Sequence, residues 1–161
     1  MVAQPINLEP RDASVLITDD NDAWRDAVDE VLRRAGFRTL QAECGEEAIE
    51  VVHTQHIDIA LIDFHMPRLD GLETLRRIRE EPMWLPAVLM TAHPADVPLA
   101  EVRSLHIEFV LTKPADRHHI VSVVSRLVRA AWHAMAPPEA DRPEFRDPWK
   151  KALSNKERST Q

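Results

Sequence analysis

Residues 57–63 read IDIALID, an apolar run that stops at the carboxylate of Asp63. A short run rich in β-branched residues is typical of a strand buried on both faces of a parallel sheet. The next eight residues, 64–71, read FHMPRLDG, and Pro67 and Gly71 in this segment predict a loop. The sequence therefore predicts a buried strand that delivers Asp63 to a loop at its carboxyl end.

The same alternation of apolar runs and helical patterns extends over most of the chain. We predict five strands, at residues 15–17, 37–42, 57–62, 87–90 and 107–111. Apolar residues recurring every three or four positions predict five helices, at residues 24–35, 46–55, 72 to before Pro82, 95 or 96 to 105, and from near Asp116 to no later than Pro137. Strands that alternate with helices predict an α/β fold with a parallel sheet and right-handed crossovers.

Polar side chains stand at the end of four of these strands. Asp19 and Asp20 follow the first strand, Asp63 the third, Thr91 ends the fourth, and Lys113 follows the fifth. In an open α/β sheet, functional groups lie at the carboxyl ends of the strands, at the point where the strand order reverses. We therefore expect these five side chains to form one site.

The chemistry of the five side chains points to a divalent cation and a phosphoryl group. Clustered carboxylates supply the oxygen ligands that Mg²⁺ prefers, and a carboxylate such as Asp63 can also be a phosphoryl-accepting nucleophile. Phosphoryl transfer needs charge neutralisation on the transferred oxygens, which Lys113 and Thr91 would supply. Lys113 is the only lysine in the first 149 residues, where every other basic side chain is arginine, so this position favours a compact ammonium.

Composition excludes several other classes of protein. Residues 1–132 carry 14 basic and 22 acidic side chains, and this net charge of −8 argues against a nucleic-acid partner. Cys44 is the only cysteine, which excludes a disulfide framework. The sequence contains neither a signal-peptide pattern nor an apolar stretch of about 18–20 residues, so we expect a cytoplasmic protein without a membrane span.

Four segments together resemble the receiver domain of two-component response regulators. They are residues 16–21 (LITDDN), 61–71 (LIDFHMPRLDG), 90–92 (MTA) and 111–114 (LTKP), within a resemblance that covers residues 13–132. The resemblance implies a flavodoxin-like (βα)5 fold with strand order 2-1-3-4-5 and helices on both faces. The domain organisation expected is a lead-in at 1–12, a receiver domain at 13–134 and a proline-rich charged tail at 135–161.

The resemblance also implies roles for individual residues. Asp63 is expected to be the phosphoacceptor, and Thr91 and Lys113 to bind the phosphoryl group. The implied Mg²⁺ ligands are Asp19, Asp20, Asp63 and the backbone carbonyl of His65. The resemblance further implies a cis peptide bond before Pro114. His65 and His93 would modulate the rate of hydrolysis.

One position departs from the family pattern. Receiver domains usually carry Tyr or Phe three residues before the conserved lysine, as an aromatic switch, but this position is Val110, and Phe109 lies one residue earlier. Because neighbouring strand residues point to opposite faces, either a local bulge lets Phe109 serve or the aromatic switch is absent.

The predicted function is that of a signalling phosphoacceptor rather than an enzyme. A histidine kinase or histidine phosphotransfer protein is the expected donor, and the expected output is a protein that binds the face formed by the fourth helix, fifth strand and fifth helix. A homodimer stays open. Three alternatives also remain: a phosphorelay shuttle that passes its phosphoryl group to a histidine phosphotransfer protein, a receiver cut from a longer protein, and a constitutive interaction module that has lost the aromatic switch.

Overall fold

The computed structural model describes residues 12–81 and 84–135. Within these two ranges, five strands alternate with five α-helices. The strands are β1 (Ser14–Thr18), β2 (Arg38–Ala42), β3 (Ile59–Asp63), β4 (Ala87–Thr91) and β5 (Phe109–Thr112). The helices are α1 (Asp22–Arg34), α2 (Gly45–Thr54), α3 (Gly71–Ile78), α4 (Leu99–Ser104) and α5 (Arg117–Met135).

The five strands form one parallel sheet in the order β2-β1-β3-β4-β5. The predicted flavodoxin-like fold class is therefore confirmed. The order reverses between β1 and β3, whose carboxyl ends lie side by side in the middle of the sheet. This reversal opens a crevice at the edge where Asp19, Asp20 and Asp63 emerge.

Helices cover both faces of the sheet, and alternate strand residues fill two core layers. On one face, Val15 and Ile17 of β1 pack in a cluster with α1 and α5. On the other face, Leu16 packs in a cluster with α2 and α3, and Leu89 packs with α3 and α4. Strands β1, β3 and β4 are buried along their whole length, which explains why their sequences are almost continuously apolar.

Several predicted boundaries differ from the structure: β5, for example, begins at Phe109 rather than residue 107, and α1 begins at Asp22 rather than residue 24. The fourth helix was predicted from residue 95 or 96, but Pro94–Asp96 form a single 3₁₀ turn and α4 begins only at Leu99. Pro98 is the N-cap of α4, because a residue that precedes the helix can be proline without losing a helical hydrogen bond. The third strand begins at Ile59 rather than residue 57; just before it, the side chain of Asp58 accepts a hydrogen bond from the Ser14 amide at 2.7 Å.

Helix α4 is held less firmly than the others. It has six residues, its N-cap makes no side-chain hydrogen bond, and Val102 is its one buried side chain. An exposed ion pair between Arg76 of α3 and Glu101 joins it to the neighbouring helix.

Helices α1 and α4 end with the same backbone motif. After α1, the amides of Gly36 and Phe37 donate to carbonyls of the last helical turn, and Gly36 has a φ of 96°. After α4, His106 and Ile107 make the equivalent bonds, and His106 has a φ of 50°. Glycine suits this left-handed position, whereas histidine is strained there.

Some sequence expectations fall outside the described residues. The predicted lead-in at 1–12 and the predicted tail at 135–161 lie there, except for residues 12 and 135. Within residues 12–81 and 84–135, no helix combines the length and the apolar character that a bilayer crossing requires.

Candidate functional site

Three carboxylates converge where β1 and β3 end. Asp19 and Asp20 follow β1, and Asp63 is the last residue of β3. One carboxylate oxygen from each residue lies within 4.8 Å of the other two. Asp19 is fully buried, Asp63 is 5% exposed, and Asp20 reaches solvent. The cluster is thus a pocket of hard oxygen donors with one open side, which fits a hydrated Mg²⁺ ion.

Lys113 reaches this cluster from the end of β5. Its Nζ lies 2.5 Å from Asp19 Oδ2 and 3.1 Å from Asp63 Oδ1, and its side chain is 16% exposed. The backbone amide of Lys113 donates to the Thr91 carbonyl at 2.7 Å, which fixes the start of the loop. The Lys113–Pro114 peptide bond is cis, as the resemblance led us to expect.

The carboxyl group of Asp63 lies near charges of both signs. Burial raises the pKa of its carboxyl group, and the negative charge of Asp19 raises the pKa further. The Lys113 ammonium acts in the opposite direction but does not cancel these effects. A bound cation would favour the ionised form of such a carboxylate, because it neutralises the surrounding negative charge.

Thr91 completes the row of strand ends. It is fully buried at the end of β4, beside β3, and its Oγ1 accepts a hydrogen bond from the His93 amide at 2.9 Å. The hydroxyl proton of Thr91 remains available for a further acceptor. The structure therefore brings Asp19, Asp20, Asp63, Thr91 and Lys113 to one edge of the sheet, as the sequence predicted.

The two histidines singled out in the sequence lie together at the rim of the site. The rings of His65 and His93 meet edge to face, with centroids 5.8 Å apart. His65 Nε2 is 3.6 Å from Asp96 Oδ2, and both side chains are largely exposed. Their predicted effect on hydrolysis, and the predicted ligation by the His65 carbonyl, stay predictions.

The structure decides between the two options for the aromatic switch. Pairing of β4 with β5 runs without interruption from Val88–Phe109 to Thr91–Thr112, so the first of these options, a local bulge at Phe109, is not found. Phe109 packs on the α1–α5 face, where the guanidinium of Arg126 lies 5.5 Å from its ring centroid. Val110 faces α3 and α4 instead. The side chain on the α4 face is therefore aliphatic.

Two residues of α1 belong to the site although the sequence pattern did not place them there. Arg25 donates to the backbone carbonyl of Asp19 at 2.6 Å and to Gln41 of β2 at 2.9 Å, so it ties the acidic loop to the sheet. The ring centroid of Trp24 lies 5.5 Å from Lys113 Nζ. Their position in the first turn after Asp19-Asp20 was the available signal, but the helical period of Trp24 indicated only a core position.

A family model described as the response regulator receiver domain matches residues 15–125. Among curated proteins, the chain is 30% identical over 131 residues to the CAI-1 autoinducer sensor kinase/phosphatase CqsS of Vibrio cholerae, which covers 80% of this chain but 18% of that protein. It is 30% identical to the transcriptional regulatory protein CseB of Streptomyces avermitilis, over 76% of this chain and 52% of that protein. The chain thus spans about half or less of the length of these two relatives.

Solved structures agree on the fold. A putative response regulator from Chloroflexus aurantiacus is 27% identical, covers 73% of this chain and 98% of its own, and superposes with a TM-score of 0.68. The chemotaxis protein CheY4 of Vibrio cholerae, 24% identical over 72% of this chain and 98% of its own, gives a TM-score of 0.69 and supports the fold alone.

Proposed function

Because the chain belongs to the response regulator receiver domain family, we propose that it accepts a phosphoryl group on Asp63 and signals by a change in conformation and partner binding. The observation that carries this proposal is the buried Asp63 carboxylate, which lies within 4.8 Å of two further carboxylates and 3.1 Å from a lysine ammonium. We assign the domain to residues 13–134.

The proposed donor is a phosphohistidine of a histidine kinase or of a histidine phosphotransfer protein. A carboxylate oxygen of Asp63 bonds to phosphorus while the P–N bond of the donor breaks. The electron pair stays on the histidine nitrogen, which then takes up a proton. Asp63 reacts as the carboxylate, so the positive charge of Lys113 helps to keep the nucleophile ionised.

Asp19, Asp20 and Asp63 would hold the Mg²⁺ ion, together with the His65 carbonyl. The metal would supply charge neutralisation on the transferred oxygens. Lys113 and Thr91 provide the remaining contacts, because an ammonium and a hydroxyl donor face the same edge of the sheet. The added phosphoryl charge of about −1.5 to −2 would draw Lys113 and Thr91 inward and shift an existing equilibrium between conformers.

The direct test uses acetyl phosphate as donor, with the intact mass of the protein as readout. We expect one Mg²⁺-dependent phosphoryl adduct on the wild type and none on Asp63→Asn. Asp26→Asn is the matched control, because Asp26 is an exposed carboxylate of α1 outside the cluster. An adduct that forms equally on Asp63→Asn, or that forms without Mg²⁺, would contradict the proposal.

The proposed output is a protein that binds the face formed by α4, β5 and α5. A second candidate, a constitutive interaction module, is favoured by the aliphatic Val110 on this face. Amide NMR spectra recorded before and after phosphorylation separate the two. Shift changes that reach α4 and β5 support a switch, whereas changes confined to the loops around Asp63 support the module.

Transfer of the phosphoryl group onward to a histidine phosphotransfer domain would instead identify a phosphorelay shuttle. A cytoplasmic location stays a prediction.

A further inference from the structure

The ammonium of Lys113 has a neighbour that is not a charged group. Its Nζ is 2.5 Å from Asp19 Oδ2 and 3.1 Å from Asp63 Oδ1, and it also lies over the indole ring of Trp24, 5.5 Å from the ring centroid. This distance is within the range of about 6 Å over which an aromatic face attracts a cation. The attraction is strongest for a desolvated cation, and the Lys113 side chain is 16% exposed.

The position of Trp24 is tied to the carboxylate that Lys113 binds. Asn21 is the N-cap of α1, and its Oδ1 accepts a hydrogen bond from the Trp24 amide at 3.0 Å. The Asn21 amide in turn donates to Asp19 Oδ1 at 2.9 Å. Asp19 and the backbone of Trp24 are therefore linked through one capping residue, so the backbone position from which the indole ring extends is fixed relative to the site.

The indole ring has no hydrogen bond that would explain its orientation. Its Nε1 is buried and has no partner among the described residues. The ring packs against the α1–α5 core cluster and turns one face to Lys113. Packing and the cation–aromatic contact thus account for the ring's placement.

The contact with Trp24 becomes most important during the proposed reaction. In the described state, Lys113 pairs with Asp19 and Asp63. In the proposed reaction Asp19 and Asp63 would hold the Mg²⁺ ion and Asp63 would become an acyl phosphate, so both carboxylate partners of the ammonium would change their bonding. The indole face takes part in neither change, so we expect it to keep its contact with the ammonium.

We propose that Trp24 is a positioning residue for Lys113: its indole face holds the ammonium where it meets the phosphoryl group. The inference rests on the proposed phosphorylation of Asp63. Trp24 touches neither the phosphoryl group nor Asp63 in this proposal and acts only through the lysine.

A purely structural role for Trp24 makes a different prediction, and a double-mutant cycle with Lys113 separates the two. In the wild-type background, Trp24→Leu is expected to slow phosphorylation by acetyl phosphate about three- to tenfold. In the Lys113→Met background, the same substitution is expected to change the already slower rate by less than about twofold. Trp24→Phe keeps an aromatic face and is expected to recover most of the lost rate.

Val28→Ala is the matched control, because Val28 is buried in the same cluster one turn further along α1. It loosens the packing of the helix without removing the aromatic face. If Val28→Ala slows phosphorylation as much as Trp24→Leu, or if Trp24→Leu costs the same with and without the ammonium, the positioning role is wrong.

Two further readouts keep the result decisive if Trp24→Leu folds poorly or phosphorylation fails. Fluorotryptophan, introduced in a variant whose other three tryptophans are phenylalanine, weakens the aromatic face without changing its shape. The rate of phosphorylation is expected to fall, and an unchanged rate overturns the inference.

The second readout is the same double-mutant cycle measured as denaturant midpoints, which requires no phosphorylation. The effects of the Trp24 and Lys113 substitutions on the midpoint are expected to be non-additive. Additivity there refutes the contact, whereas a wild type that accepts no phosphoryl group refutes the proposed function and with it the positioning role.

Discussion

Replacing Asp63 with asparagine is expected to make the protein more stable at neutral pH. Asp63 is almost fully buried among like charges, and asparagine keeps its shape while removing the charge. At an effective dielectric constant of about 20, two unit charges no more than 4.8 Å apart interact by at least about 3.5 kcal/mol, and two charges 3.1 Å apart by about 5 kcal/mol. Repulsion from Asp19 thus offsets most of the attraction from Lys113.

Two further effects disfavour the ionised form of Asp63. Asp20 adds repulsion that solvent partly screens, and burial adds a desolvation cost. We therefore expect Asp63→Asn to raise the free energy of unfolding by about 1–2 kcal/mol, which is a rise in Tm of about 3–8 °C for a domain of this size. Lys113 keeps Asp19 as its partner in the variant, so no buried cation is left unpaired.

The pH dependence of stability independently checks whether the ionised Asp63 carboxylate destabilises the folded protein. Because the pKa of Asp63 is raised in the folded state, the folded protein binds the extra proton more tightly than the unfolded chain. The wild type should therefore lose this part of its stability as the pH rises from the unfolded carboxyl value, about 4, through the raised folded value. The asparagine variant should lack this loss.

The assay is denaturant unfolding with EDTA present, at neutral pH and near pH 4, with Asp26→Asn as the control for overall net charge. Added Mg²⁺ should stabilise the wild type more than the Asp63→Asn variant, because the cation neutralises the cluster. A destabilised Asp63→Asn protein at neutral pH, or a gain equal in size at both pH values, would refute this balance of charges around Asp63.

Substitutions at four other positions test the backbone geometry and the helix caps. Gly71→Ala would place a Cβ 2.5 Å from the Asp63 carbonyl oxygen, so we expect a loss of about 2–3 kcal/mol in urea unfolding together with slower phosphorylation; unchanged stability would contradict the packing. Asn21→Ala removes the side-chain cap of α1 and should cost about 1 kcal/mol by the same measurement, with Asn21→Ser restoring most of it. His106→Gly should stabilise the protein and Gly36→Ala should destabilise it, each by about 1 kcal/mol, since both residues have a positive φ after a helix. Equal signs for this last pair in thermal unfolding would refute the shared-motif explanation.

The order of the elements and the five main site residues followed from the sequence because the signals were local. Each buried strand of the site is an apolar run of about five residues that ends at a polar side chain, and a parallel sheet brings such ends together. Lys113 stood out because it was chemically unlike the arginines around it.

The features that sequence did not predict depend on how elements face one another. The contact of Trp24 with Lys113 needs the rotation of α1 about its axis relative to β5, which the helical period leaves undetermined. Predicting which face of the sheet Phe109 occupies requires the register of β5 against β4, and a bulge in β5 would have placed Phe109 on the opposite face. The late start of α4 turned on Pro98, which fits either as a first-turn residue or as a cap.

The slight attachment of α4 has a consequence for how the protein fluctuates. Its six residues contribute one buried side chain, Val102, and the exposed Arg76–Glu101 ion pair adds to the apolar contact with α3. Amides of α4 should therefore exchange hydrogen with solvent through local opening, at a free energy well below that of global unfolding. Since salt screens exposed charges, raising the ionic strength should accelerate exchange in α4 while leaving the amides of β4 unaffected. The order of the proposed partner-binding face is thus set in part by the surrounding electrolyte.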